Sequence, residues 1–369
     1  MTPLETTRTA QVQAFRSLGL GPDSWLCVLV KEAHLLLGRP KPEQPRALAI
    51  LSDRRYQGEL LVEESELTAA ARESCDVFLS GSAYPGAEAS FADTSLTVGS
   101  LARSVRVHGA RRIEFSGSAL GYSNAEPFDR SPLSKANAYG GSLPRPRAKR
   151  GAFGANARAG TPEDEAFYPR NAAGRGFCNE ATAQLLNGRL APSQEDPNDP
   201  VLPERLAVSD VRAWLDAPIA ADYGPVDLFE FPRAQFLHPY VMPKDAQPLE
   251  ARRGWLGTPS TAWSRGDVDP RVASAAAPGL CGAVSVGDRC VARNLFPGGG
   301  EVTFRVPAGP RAVEVALPGA GRYGAALELR TLHLRPDEGL LELTWCARIP
   351  VFFEYPSELL AGLKAEVRD

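Results

Sequence analysis

The chain has 369 residues, 43% of them hydrophobic and 23% charged, with a formal net charge of -3. That length supports one large core or two ordinary ones. The near balance of charge excludes a global field that would draw in nucleic acid or anionic lipid, so neither is expected as a partner.

No run approaches the ~18 apolar residues of a membrane-spanning helix. The opening MTPLETTRTAQVQAFRSLGLGPD is polar and lacks the apolar centre of a secretory signal, which predicts a cytoplasmic chain. Free, buried thiols are then expected at Cys27, Cys75, Cys178, Cys281, Cys290 and Cys346. The 34 glycines and 32 prolines imply many turns and long irregular connections.

In chain order, residues 1–24 read as a polar lead and 25–117 as a first β block. Its strands are WLCVLVKEAHLLLG (25–38), ALAIL (47–51), GELLVEE (58–64), CDVFL (75–79), TSLTVGS, SVRVHG and RRIEFSG (111–117). A short helix is expected at 65–73, with Ser65 as its N-cap. Residues 118–275 lack period-2 runs but carry scattered aromatics, which predicts an ordered irregular insert pinned by them. Strands resume over 276–352, where Val313, Val315 and Leu317 alternate with polar neighbours and RPDEG (335–339) reads as a turn. Leu359, Leu360 and Leu363 form a helical stripe in 353–369. The sum is a mainly β chain: an antiparallel, sandwich-like body made by both β blocks, a long insert and a short C-terminal helix.

Motifs for catalysis are weak. The strand-turn SGSA at 80–83 departs from the nucleophile elbow, because Gly81 directly precedes Ser82 and Pro85 falls where a helix should start. It is echoed at 116–119, which suggests paired turns or a weak duplication, with Gly81 and Gly86 as turn residues. No Gly-Lys-Ser/Thr occurs, and GRGF (174–177) lacks the strand and third glycine of a dinucleotide loop, so no cofactor is expected. His34, His108, His238 and His333 form no ligand pair, so no metal is expected. The acidic stretches at 163–165 and 195–199 read as solvated turns, and RPRAKR (145–150) as an exposed basic loop.

Six stretches together resemble a known bacterial family. They are CDVFLSGSAYPGA (75–87), VRVHGAR (105–111), AYGG (138–141), YPRNAAGRGF (168–177), SVGDRCVARNLFPGGGEVTFRVP (285–307) and LRTLHLRPDEGLLELTWCARIPV (329–351). In this order they resemble the domain-of-unknown-function family numbered 2169, found in type VI secretion clusters beside spike proteins and toxic effectors. The likeness covers roughly residues 25–352; Cys346 stands where the family has arginine, and GTPSTAW (257–263) is a divergent element. It marks Gly81, Pro85, Gly86, Gly140 and Gly141 as structural turns and implies a non-enzymatic adaptor or chaperone that binds an effector and loads it onto a spike. The insert then supplies contact residues: Trp214, Phe231, Phe236, Tyr240, Trp255 and Trp263, with Arg145, Arg147 and Arg150 beside them. Two alternatives stand: a hydrolase using Ser82 or Ser118, or a cysteine with His108 or His333, and a structural component of a contractile assembly.

Overall fold

The computed structural model describes residues 4–5, 11–18, 24–36, 48–58, 60–143, 167–209, 214, 217–236, 269–317, 321–350 and 363–368. The chain is mainly β, and its largest sheet draws on both ends of the sequence. Strand Ser24–Leu36 pairs antiparallel with Leu340–Pro350, with Val30 opposite Trp345. Next come Glu328–Arg335, then Cys75–Leu79, then the two-residue strand Cys281–Gly282. Gln11–Leu18 and Leu4–Glu5 complete the seven strands, both against Ser24–Leu36. The pair 75–79 with 328–335 runs parallel, against the antiparallel expectation, because the connection between them is a crossover spanning the whole insert.

A second sheet orders Gln194–Glu195, Leu101–His108, Phe91–Val98, Arg289–Arg293 and Glu301–Arg305. A third joins Gly321–Ala326, Ala312–Leu317 and Lys364–Arg368. One core unites them: Val28, Val77, Leu332 and Leu343 from the first sheet with Leu96, Val105, Ala292 and Phe304 from the second and Val315 from the third. Full burial of such side chains stabilises by roughly 1.5–3 kcal/mol each.

The insert has its own core, in which Tyr139, Tyr168 and Phe177 stack edge to face or tilted and Trp214 lies 5.2 Å from Phe231. Ile113 of hairpin 113–122 belongs to this core, so the first β block gives its last strand to the insert.

Several local expectations change. Residues 48–51 form no strand, because side chains take their amides: Ile50 N–H donates to Gln11 and Leu51 N–H to Glu66. The helix after Ser65 is a 3-10 turn, Glu66–Ala71, with the Ser65 hydroxyl accepting from Leu67 N–H at 3.3 Å. At the C-terminus, 364–368 is a strand, not a helix: Ala365 and Val367 pack on the core while Lys364, Glu366 and Arg368 face out, a period of two. Leu359 and Leu360 lie outside the described residues.

The two SGSA stretches are not equivalent. The first ends strand 75–79 and leads into a two-residue strand paired with 131–132, whereas the second is a hairpin tip with Gly117 at φ 64. Gly140 and Gly141 sit at left-handed φ of 151 and 93, and a Cβ on either would stand within 2.5 Å of the backbone oxygen of Asn171 or Gly174. Gly86 (φ 82) turns the chain after Tyr84-Pro85, whereas Gly81 has no such φ and is held close by Pro336. Among the described residues no helix is long and apolar enough to cross a membrane, and no group of three or more His, Cys, Asp or Glu side chains gathers to hold a metal.

Candidate functional site

Alternation along the seven-stranded sheet puts most of its apolar residues on the shared core, while Cys27, Leu29 and Cys346 pack with Ala69 and Ala70 on the other face. The opposite face carries Lys31, Asp76, Thr331, Arg335, Glu342 and Thr344, all buried. Residues 48–72 cover this face and complete its charges. Glu66 binds Lys31 at 3.2 Å and accepts from Thr344 at 2.6 Å. Glu63 takes Arg335 at 2.5 Å, and Arg335 also reaches Glu342 at 3.3 Å. Burial opposes the charge on Arg335, but Glu342 and Glu63 overcome it and raise its pKa. Arg72 pairs with Asp76 at 2.5 Å and donates to Thr331 at 2.8 Å. A cavity of about 50 Å³, lined by Lys31, Glu63, Glu66, His333, Arg335 and Glu342, remains inside this layer. It has room for a few waters and not for a larger ligand.

The same layer fastens the insert. Asp76 accepts from Ser274 Oγ at 2.6 Å and Ala275 N–H at 2.8 Å. Arg233 pairs with Glu64, which also accepts from Arg54 at 2.7 Å. Where the insert meets the sheet edge, a groove of about 510 Å³ opens, a volume suited to a peptide side-chain cluster or a small molecule. Pro232, Phe236, Pro270, Ala276 and Pro278 make its walls apolar, and Phe236 stacks under the Arg271 guanidinium at 4.5 Å. Ser74, Ser274 and Cys281 give it a polar corner, with the thiol 3.0 Å from Ser74 Oγ and 3.3 Å from Ser274 Oγ. Burial raises the Cys281 pKa, which disfavours a nucleophilic thiolate. Between the groove residues Val226 and Pro232, Phe229 stands 74% exposed, and Tyr56 donates to Asp227 at 2.8 Å.

The structure separates the expected contact residues. Phe236 lines the groove. Trp214 and Phe231 are instead buried in the insert's core, where Arg170 lies over the Trp214 ring at 4.6 Å, so both hold the insert together. Arg145, Arg147, Arg150, Tyr240, Trp255 and Trp263 lie outside the described residues, as does His238. Phe229 was not among the expected contact residues, and Cys281, expected as a buried thiol, lines the groove instead; no periodicity marks an exposed aromatic within a turn.

The hydrolase candidates fare differently from expectation. Ser82 donates to Asp337 at 2.9 Å and accepts from Arg130 at 3.0 Å, fixing a turn. Ser118 sits in the hairpin tip. His108 meets the buried Glu195 at 2.8 Å, which corrects the solvated reading of that acid. His333 Nε2 lies 2.8 Å from Ser80 Oγ, a serine the sequence did not single out. Its Nδ1 lies 3.3 Å from Arg335. None of the six cysteines is in a disulfide, and Cys281, expected to be buried, is exposed.

A β body, an insert with its own core and a groove at their junction are the features of this chain's described residues. The model of family DUF2169, described as an uncharacterized protein conserved in bacteria, matches residues 23–346, and the chain belongs to that family. Searches of curated proteins and of solved structures gave no significant match.

Proposed function

We propose that this protein is a non-enzymatic adaptor that binds a secreted effector and presents it to the spike of a type VI-like contractile secretion system. The reading draws on the ordered motifs that resemble such adaptors. The observation that carries it is the 510 Å³ groove with Phe236 on its wall under the Arg271 guanidinium; Phe229 is exposed on the same stretch of chain, 226–236. Aromatic anchors next to arginine are the residue types that dominate protein docking. Co-expression with a toxin encoded alongside tests it. The complex co-purifies, and Phe229→Ala with Phe236→Ala weakens retention by about tenfold, the size of a modest hot spot. Unchanged retention removes the groove from the interface; no complex with any adjacent toxin removes the adaptor reading.

The hydrolase reading retains one observation, the Ser80–His333 contact. A fluorophosphonate probe distinguishes the two: the adaptor is left unlabelled, whereas a hydrolase is labelled at Ser80 and loses the label in His333→Ala.

A further inference from the structure

The outer face of the five-stranded sheet bears charge in an unusual register. Arg289 lies directly opposite Arg305, and Arg293 opposite Glu301. Like charges placed directly opposite on a sheet destabilise it unless an anion lies between them. Glu301 serves both neighbours poorly: it is 3.9 Å from Arg289 and 3.6 Å from Arg293, beyond hydrogen-bond reach of either. The two guanidiniums are 62% and 61% exposed. Arg305 spends one nitrogen on Gly287 O at 2.6 Å. The other charges here are satisfied: Arg106 grips Asp93 through two nitrogens, and Asp288 caps Ser285 N–H. The face therefore presents a local positive surplus on a chain whose net charge is -3.

Geometry narrows what fits. Arg289 and Arg293 are four residues apart on one strand, about 13 Å along it at the backbone, and their exposed guanidiniums both lean toward Glu301 on the neighbouring strand. Between them Val291 lies level with Thr97 on one side and Thr303 on the other, a low platform without charge. An extended peptide places residues i, i+2 and i+4 on one side, so carboxylates at i and i+4 meet the arginines while a small or apolar i+2 rests on Val291. The planar fork of arginine favours carboxylate acceptors.

We propose that this sheet face docks an extended acidic segment of a partner protein, with carboxylates four residues apart on Arg289/Arg305 and Arg293. The surface shares no residue with the groove, and its test does not depend on the adaptor reading. The full chain is titrated, by fluorescence anisotropy, with a labelled peptide containing Glu-Ser-Val-Ser-Glu, with its Lys-for-Glu counterpart, and with an isomer in which the two glutamates are adjacent. The spaced glutamate peptide binds, weakens as salt rises, and loses about tenfold in affinity in Arg289→Glu with Arg293→Glu, as charge reversal at close pairs does. Arg293→Gln gives a smaller loss in the same direction and serves if the double variant fails to fold. Equal affinity for the adjacent-glutamate isomer, no loss in either variant, or tighter binding of heparin through the same arginines each overturns the proposal.

Discussion

The two faces of the seven-stranded sheet are both buried, one mainly by apolar contacts and the other by ion pairs beside a small apolar cluster at Cys27, Leu29 and Cys346. One carries Val28, Val77, Leu332 and Leu343 into a dry core shared with the other sheets. The other carries Lys31, Asp76, Arg335 and Glu342 against the carboxylates and arginines of residues 48–72. Apolar packing is non-directional and supplies stabilisation wherever area is removed from water. Buried ion pairs contribute little net stability against apolar replacements, because desolvation offsets their attraction. They do make each docking position discriminating. Asp76 is satisfied only when Arg72, Ser274 and Ala275 all reach it, so it aligns the cap and the insert on one strand. The difference teaches that the dry face holds the body together and the charged face fixes where its attachments sit.

The contrast is sharpest in single-residue losses. Asp76→Ala leaves the Arg72 guanidinium buried without its carboxylate and is expected to cost about 3–5 kcal/mol. Leu343→Ala on the dry face is expected to cost about 2–5 kcal/mol through lost burial and a cavity. Urea unfolding reads both. A cost under about 1 kcal/mol for Asp76→Ala means that the charged layer is wet, and the contrast between the faces then fails.

A smaller effect is expected where the insert meets the second sheet. Burial alone raises the Glu195 pKa, but the His108 hydrogen bond, the Val201 amide and Arg111 together hold it below its usual 4.5. A depressed carboxylate contributes stability that is present above its unfolded value and lost as pH falls through the folded one. Stability therefore declines below about pH 4.5, and Glu195→Gln flattens that part of the profile in thermal melts. An unchanged profile removes Glu195 from the acid response.

The smallest effect belongs to a pair on an open surface. Arg106 and Asp93 make two hydrogen bonds, at 2.7 and 2.9 Å, in the reach of solvent. Arg106→Ala is expected to change stability by about 0.5 kcal/mol or less, and less again in high salt. A cost comparable to that of Asp76→Ala erases the distinction between buried and exposed pairs.

Much of the body was legible in the sequence because strands announce themselves by alternation: 91–98, 101–108 and 312–317 show it plainly. The charged face was not. Lys31 and Glu32 read as an interruption of an apolar run, and only the fold shows Lys31 satisfied, by Glu66 and by Glu342 some three hundred positions away. The same distance hid Ser80 from His333. The groove is drawn from three separate stretches, 72–74, 226–236 and 270–281, none with a pattern of its own. The C-terminal strand was misread because Leu359, Leu360 and Leu363 satisfy a helical period that the following residues abandon.

Strand 24–36 has 11–18 on one edge early but gains its neighbour on the other only at 340–350, and strand 75–79 waits for 281–282 and 328–335. A ribosome adding ~5–20 residues per second takes on the order of 15–60 s to cover the intervening ~300 residues. For that interval the earliest apolar strands of the chain have no finished sheet to join. The architecture thus builds in a delay during which the nascent chain depends on its surroundings to keep those strands apart from others like them.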